Sequence, residues 1–330
     1  MIRLGIIGTG RIAKRFATDA WQGLDTGLRA VYNPNRDSAD SFSRRYSIPL
    51  GTADWEEFLG QIDAAYVASP SFSHGNYIRM LLESGKHVLC EKPMLLGGQE
   101  AKELFAAAKS RNLVLMEAVK TAYCPGFRAL LEILAEGRIG EIRDVEACFT
   151  KLVKPGLREL TDMSYGGSMT ELGTYGCFAV LRILGCDYGD LRFSVQRNGQ
   201  GMDIFTKVFF EYEDGRGTGL VKAGLGVKSE GELIVSGTRG YLLARAPWWM
   251  TGHFEVRYED LGQCDVYDYP FVGNGLQYEL QYFLERIQGK KGDTYKTESK
   301  TMESETMEQV SIVLADIMER FLAAEAGYRK

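Results

Sequence analysis

Short apolar runs alternate with amphipathic segments through the first third of the chain. Residues 2–7, 28–32, 64–68, 85–89 and 113–116 read as strands. Segments between them, at 12–20, 38–46, 55–59, 77–84 and 98–110, carry apolar residues at helical spacing, as Ile12, Phe16 and Ala20 do. Strands separated by helices need crossover connections, so this part is expected to be a parallel sheet covered by helices. Past Met116 the period changes. A Cys124-Pro125-Gly126 turn leads into a helix at 127–136, and from Ile142 onward the pattern alternates every second residue. Such runs occur at 193–196, 205–212, 218–225, 233–236, 254–258 and 266–269, joined at hairpin spacing by turns such as 213–217. They predict a mostly antiparallel sheet with one face solvated or covered by a partner. Two late apolar stripes read as core or interface: Leu276, Leu280, Phe283, Leu284 and Ile287, then Val310, Val313, Leu314, Ile317 and Phe321. A polar linker at 290–305 separates them. With 330 residues, more than one core usually holds, the reading places two domains, 1–120 and 121–330.

The first strand runs into Gly8-Thr9-Gly10-Arg11-Ile12-Ala13, a G-x-G-x-x-A sequence opening a helix. Glycines here permit a tight turn and let backbone N–H groups approach a pyrophosphate, and a small Ala13 lets the helix pack closely. Between a strand and a helix this is a dinucleotide-binding fingerprint. It implies a Rossmann-type, doubly wound domain. The position that holds an acidic residue in many such units, about 20 residues on, is Asn33, followed by Pro34-Asn35-Arg36. Without a carboxylate there, a 2′-phosphate is not repelled and Arg36 can reach one. Asn33 can still bond a ribose hydroxyl. The expected cofactor is NADP or NAD, with NADP slightly favoured. The loop Ser69-Pro70-Ser71-Phe72-Ser73-His74, after the strand at 64–68, is placed at the cofactor mouth, where Ser69, Pro70 and His74 are candidate contacts.

Glu91-Lys92-Pro93 closes the strand at 85–89. A lysine at the carboxyl end of such a strand sits where open α/β sheets bind ligands, and Pro93 stops the strand. In the second half, the glycine-rich stretch 165–175 feeds a helix reaching Leu184. Glu171 and Tyr175, spaced i and i+4, are expected on one face of it. A carboxylate and a phenol so placed suit substrate recognition and proton transfer, the phenol being more acidic beside an ammonium such as that of Lys92.

Composition narrows the classes. The chain is 45% hydrophobic and 25% charged with net charge −5, and it has no dense basic run. No nucleic-acid surface is expected. The scattered cysteines form no C-x-x-C pair, so buried, reduced thiols and no metal site are expected. No apolar stretch approaches the ~20 residues of a membrane span, and Met1-Ile2-Arg3 runs directly into a strand, leaving no room for a signal peptide. The expected location is cytoplasmic.

Taken together, the fingerprint, the 68–74 loop, 85–93, Met116-Glu117-Ala118, the stretch at 165–175 and Gly237-Thr238-Arg239-Gly240 resemble the Gfo/Idh/MocA oxidoreductase family. The resemblance spans nearly the whole chain. It implies a Rossmann domain followed by an α+β domain with a large open sheet, often used for dimerisation. It also implies a nicotinamide cofactor and hydride transfer at a carbon bearing a sugar or polyol oxygen. Lys92 matches the lysine that contacts the reacting oxygen, with Glu91 beside it. Where the family commonly has Asp and His, this chain has Glu171 and Tyr175. A tyrosine there is similar to the branch of glucose-fructose oxidoreductase and dimeric dihydrodiol dehydrogenase. That branch often carries Arg-Phe-His-Pro where this chain has Ala122-Tyr123-Cys124-Pro125, so Tyr123 becomes a candidate pocket wall. The reading is an enzyme on a small carbohydrate, polyol or related hydroxy or keto compound, a homodimer or higher homo-oligomer through its C-terminal sheet. The alternative from another class is a nucleotide-binding sensor of the same fold that does not turn its ligand over. Retention of Lys92 and Tyr175 argues against it.

Overall fold

A computed structural model describes residues 1–213, 215–290 and 306–328. Its first sheet starts with β1 (Ile2–Ile7), followed by α1 (Arg11–Arg15), β2 (Thr26–Tyr32), α2 (Arg36–Tyr46), β3 (Leu50–Thr52), α3 (Trp55–Gln61) and β4 (Ala64–Val67). It continues with α4 (His74–Glu83), β5 (His87–Glu91), α5 (Gly98–Ser110) and β6 (Leu115–Ala118). The strand order is β3-β2-β1-β4-β5-β6, all parallel. Leu4, Ile6, Val31, Tyr66, Val67, Val88 and Leu89 are fully buried, as strands covered by helices on both faces require. The order reverses direction at β1 and β4, the switch point at whose carboxyl ends such sheets bind ligands.

After β6 come α6 (Pro125–Ala135), β7 (Ile142–Thr150), α7 (Arg158–Thr161) and α8 (Thr174–Leu184). The strands β8 (Asp190–Arg197), β9 (Asp203–Glu211), β10 (Thr218–Gly224), β11 (Leu233–Gly237), β12 (Gly240–Ala244), β13 (His253–Tyr258) and β14 (Cys264–Asp268) follow. With β7 they form an eight-stranded sheet, antiparallel except for the β7–β10 pair. The helix α8 packs on one face, where Gly176 lets it approach Val221: a Cβ there would lie 2.3 Å from the Val221 side chain. The remaining helices are α9 (Leu276–Ile287) and α10 (Met307–Glu325).

The α/β class and the two sheets stand as read from sequence. Two strands, β3 and β12, escaped the pattern because each is short and lacks clear alternation. Two compact units emerge: Met1–Tyr123 with the segment from Val272 that carries α9, and Cys124–Phe271 with α10. The α9 stripe was read as part of the 121–330 half, yet it packs in the first unit against β5 and the turn at 120–123. All but Lys290 of the polar linker at 290–305 lies outside the described residues. Cys90, Cys124, Cys148 and Cys177 are buried free thiols, but Cys186 is half-buried and Cys264, on an edge strand, is exposed. Among the described residues no helix is long and apolar enough to cross a membrane.

Candidate active site

At the end of β1 the chain turns through Gly8, whose φ of +100° belongs to the left-handed region. A Cβ at Gly8 would stand 2.7 Å from the carbonyl oxygen of Ala68, so glycine is needed for both reasons. Gly8 N–H donates to the Tyr32 carbonyl at 2.9 Å, joining the turn to β2. Gly10 is exposed, and a Cβ built there meets no atom within 4 Å. The fingerprint turn is therefore open where a dinucleotide backbone would approach. Thr9 and Ile12 are half-buried and Arg11 is exposed. Helix α1 is short: the segment read as one helix through Ala20 becomes a π-helical turn at Phe16–Ala20, with the Phe16 ring stacked on Tyr66 at 3.8 Å.

At the end of β2, the Asn33 side-chain amide donates to the Thr9 hydroxyl at 2.9 Å and its oxygen accepts from Asn35 N–H at 2.9 Å. Asn35 in turn caps α2. Arg36 is exposed, and its guanidinium lies on Asp40 of its own helix at 3.1 Å.

After β4, Ser69 is half-buried and Pro70 exposed. The Ser73 hydroxyl donates to Ser69 Oγ at 2.8 Å. His74, expected at the cofactor mouth, is 1% exposed. Its Nδ1 faces the Pro93 carbonyl at 3.0 Å and its Nε2 the Ser69 carbonyl at 2.9 Å. Burial pulls its pKa below the usual 6.5 despite those carbonyls. His74 thus lies between the loop after β4 and the loop after β5, its neutral ring donating to one of the two carbonyls, and offers no ring nitrogen to a ligand.

Glu91 ends β5, buried, with the Tyr66 hydroxyl donating to one oxygen and the Lys92 N–H to the other at 3.2 Å. Burial holds its pKa above the ordinary range, against the opposing pull of the Lys92 charge, the Tyr66 hydroxyl and Lys120. Lys92 is half-buried and the Lys92–Pro93 peptide is cis. The following loop is fixed by Glu117, 2% exposed at the end of β6, which accepts from Met94 N–H at 2.9 Å. Tyr123 is buried, its ring 4.8 Å from that of Tyr282 on α9. The first unit therefore brings Gly8, Thr9, Gly10, Asn33, Ser69, Glu91 and Lys92 to the carboxyl ends of adjacent strands. Lys120 belongs to this group and was missed, its signal being only its place just beyond β6.

The second unit holds Glu171 and Tyr175. The stretch before α8 is a π-helical turn at Met169–Gly173, so the two are not i and i+4 of a single α-helix. Glu171 is partly buried, and Arg158 Nη2 reaches its Oε1 at 3.4 Å. The turn is anchored by buried Asp203, which accepts from Met169 N–H at 2.8 Å. The Tyr175 ring lies against Phe149 at 5.2 Å, and Phe149 stacks on Trp249 at 3.4 Å between ring centres, 8° from parallel. Phe149 and Trp249 also escaped sequence reasoning. The Trp248-Trp249 pair between two strands was the available signal, and Trp248 proves to be core while Trp249 is half-buried.

The residues fit a dinucleotide: an open glycine turn, a neutral Asn33 in place of a carboxylate, and a lysine two strands away in the sheet order. Comparison with known proteins agrees. Residues 2–119 match the oxidoreductase family with an NAD-binding Rossmann fold. Trans-1,2-dihydrobenzene-1,2-diol dehydrogenase of Bos taurus is 29% identical over 328 residues, covering 96% of this chain and 95% of that protein. The scyllo-inositol 2-dehydrogenase (NADP(+)) of Bacillus subtilis is 28% identical over 329 residues, covering 97% and 95%. A 3-ketoreductase from Actinomadura kijaniata, crystallised with NADP and TDP-benzene, is 25% identical with a TM-score of 0.80 over 96% of each chain. Fingerprint, sheet order and the match over residues 2–119 converge on the NAD-binding Rossmann fold of the Gfo/Idh/MocA oxidoreductase family, and along nearly its full length the chain is similar to dehydrogenases.

Proposed function

We propose that this protein interconverts a secondary hydroxyl and a ketone on a small ring-shaped polyol or sugar, with NADP preferred over NAD. The observation that carries this reading is the placement of Lys92 at the end of β5 in the sheet that has the glycine turn at the end of β1, with only β4 between them. The bound nicotinamide would accept or supply the hydride. Gly8, Thr9, Gly10, Arg11 and Ile12 would hold its pyrophosphate side. Asn33 would hold the adenosine ribose, with Arg36 released from Asp40 toward a 2′-phosphate. Ser69 and Pro70 would line the mouth, and His74 would hold their loop in place from behind.

Lys92 donates to the reacting oxygen and favours its alkoxide character. Tyr175 gives the proton to that oxygen in reduction and takes it in oxidation. Glu171, steadied by Arg158, orients a neighbouring substrate hydroxyl. The Phe149–Trp249 stack beside Tyr175 offers a flat apolar surface for the C–H face of a ring. Such a surface suits cyclic diols, inositols and pyranoses better than open-chain hydroxy acids. The substrates named for the relatives, a dihydrobenzene diol and an inositol, are of this kind. Tyr123 is assigned a supporting place in the wall, behind Tyr282.

The face of the second sheet turned away from Val221 carries Phe209 and Leu220 on adjacent strands and Ile234 beyond Glu146 of β7, all half-buried, with Lys207 and Lys222 on the same face. Half-buried side chains of mixed apolar and charged character on an open sheet suit a second copy of the chain, so we assign a homodimer through that sheet, in the cytoplasm. Sedimentation of the purified protein tests the assembly; a monomer would remove it. The function is tested by fluorescence titration with NADPH and NADH, followed by turnover of cyclic diols, inositols and keto sugars. Binding of neither nucleotide would overturn the reading, and binding without turnover of any would favour the sensor.

A further inference from the structure

Glu279 lies on the buried stripe of α9 with Leu276, Leu280 and Phe283. A glutamate in such a stripe is out of place on composition alone. It has no solvent exposure, and neither carboxyl oxygen has a hydrogen-bond partner among the described residues. The helix packs there against β5, the turn at 120–123 and the π-helical turn at Phe16–Ala20. From β5 the charged group acting on Glu279 is Glu91, and from the 120–123 turn it is Lys120. Lys120 reaches toward the start of α9, its ammonium donating to the Asn274 carbonyl at 2.6 Å.

The two carboxyls are offered different surroundings. Glu91 has a donor on each oxygen, from the Tyr66 hydroxyl and the Lys92 N–H, and it is within the influence of both Lys92 and Lys120. Glu279 has no donor and faces the charge of Glu91. An ionised carboxylate buried without donors is strongly disfavoured, and of two neighbouring buried carboxyls one ordinarily keeps its proton. Burial and Glu91 both act to keep Glu279 neutral, with Lys120 opposing.

We infer that Glu91 and Glu279 share a single negative charge, with Glu279 carrying the proton, and that neutral Glu279 is a positioning residue for the Glu91-Lys92-Pro93 turn. It closes the wall behind Glu91 without adding a second charge that would draw on Lys92 and Lys120. This second part rests on the role proposed for Lys92; the protonation does not. Loss of the proton at alkaline pH would place two carboxylates behind the lysine that must favour a developing alkoxide, and catalysis would fall. The other titratable groups on β5 are His87, at its far end and held below the usual 6.5 by burial, and Cys90, whose thiol is pushed well up by burial and by Glu91 and Glu117. His87, lowered, does not reach the alkaline limb, and a Cys90→Ala background removes the thiol from it.

The test is infrared spectroscopy of the full-length protein at neutral pH, in water and in heavy water. Wild type should show a protonated-carboxyl C=O band that shifts on deuteration, is absent in Glu279→Gln and in Glu279→Met, and persists in Lys92→Met. Absence of the band in wild type, or its survival in whichever Glu279 variant folds, overturns the protonation. Persistence in Lys92→Met keeps this result separate from any failure of the catalytic reading. Positioning is tested by the alkaline limb of kcat/KM, which falls about tenfold per pH unit beyond a single deprotonation. That limb should move upward by a pH unit or more in Glu279→Gln, on the Cys90→Ala background. An unmoved limb overturns the positioning role.

Discussion

The Asn33 side-chain amide donates to the Thr9 hydroxyl at 2.9 Å, which locks the end of β2 onto the fingerprint turn after β1. The residue that would read the adenosine ribose is thus held by the loop that would hold the pyrophosphate, so a change in one is felt by the other.

Asn33→Asp replaces the amide donor by a carboxylate, to which the Thr9 hydroxyl can turn and donate, and the new charge repels a 2′-phosphate. NADPH affinity is expected to fall by about tenfold relative to NADH, a difference of about 1.4 kcal/mol. Arg36→Ala should weaken NADPH several-fold and leave NADH unchanged. The pair with Asp40 does not prevent this, because an exposed ion pair is worth only about 0–1 kcal/mol. Parallel fluorescence titrations check both. An unchanged NADPH-to-NADH ratio in the two variants would show that the cofactor's ribose is read elsewhere.

Lys92→Met removes the donor to the reacting oxygen while keeping a side chain of similar length. Turnover should fall by about 100- to 1,000-fold, the usual cost of one such donor, with nucleotide affinity within a few-fold of wild type. Tyr175→Phe should lower kcat by about 100- to 10,000-fold as the proton donor is lost. Steady-state kinetics beside nucleotide titration separates the two effects. A variant that turns over normally would release its residue from the mechanism.

The parts that were legible in the sequence are local. A glycine turn between an apolar run and a helix needs only neighbouring residues, so Gly8, Gly10 and the parallel alternation could be read directly. The end of β5 at Lys92 was legible for the same reason. What escaped reading depends on distant chain. Glu279 looks like a solvated residue interrupting an apolar stripe until α9 is seen to return to the first unit, over 150 residues after the strand it packs on. His74 read as a site histidine because of its position at a helix start. Only the Pro93 carbonyl, 19 residues away, shows its ring to be enclosed between two loops. The π-helical turn before α8 departs from helical spacing for a tertiary reason, the hold of Asp203 on Met169 N–H from a neighbouring strand.

His74 also sets an acid limit on stability. Its folded pKa is below 6.5, so between that lowered value and 6.5 the unfolded chain binds more protons, and stability falls as pH drops through the window. Half-buried His87 is shifted the same way by burial. His253 is shifted upward, chiefly by Asp268, and acts oppositely, but it is largely exposed and contributes less. Glu91 and Glu279, raised acids, also oppose it, since they favour the folded state at low pH. The informative quantity is therefore the difference between variants. The deficit in melting temperature of His74→Gln relative to wild type should be largest at pH 7 and shrink toward pH 5. A deficit independent of pH would mean that His74 is not buried neutral.

Trp249 provides the sharpest test of substrate class. Its ring, 3.4 Å from that of Phe149 and 8° from parallel, forms with Phe149 the surface beside Tyr175. If a ring substrate rests its C–H face there, Trp249→Ala should raise KM several-fold to about tenfold, since an aromatic contact contributes about 0.5–1.5 kcal/mol beyond the area it buries. Nucleotide affinity should not change, because the turn that would hold the pyrophosphate is in the other unit. Trp249→Phe should restore most of the loss. An effect on kcat at constant KM would instead place Trp249 in support of Tyr175, acting through Phe149 in the transition state alone. Equal losses for cyclic and open-chain substrates would remove the argument for a ring, because an open chain presents no flat C–H face for the indole to meet.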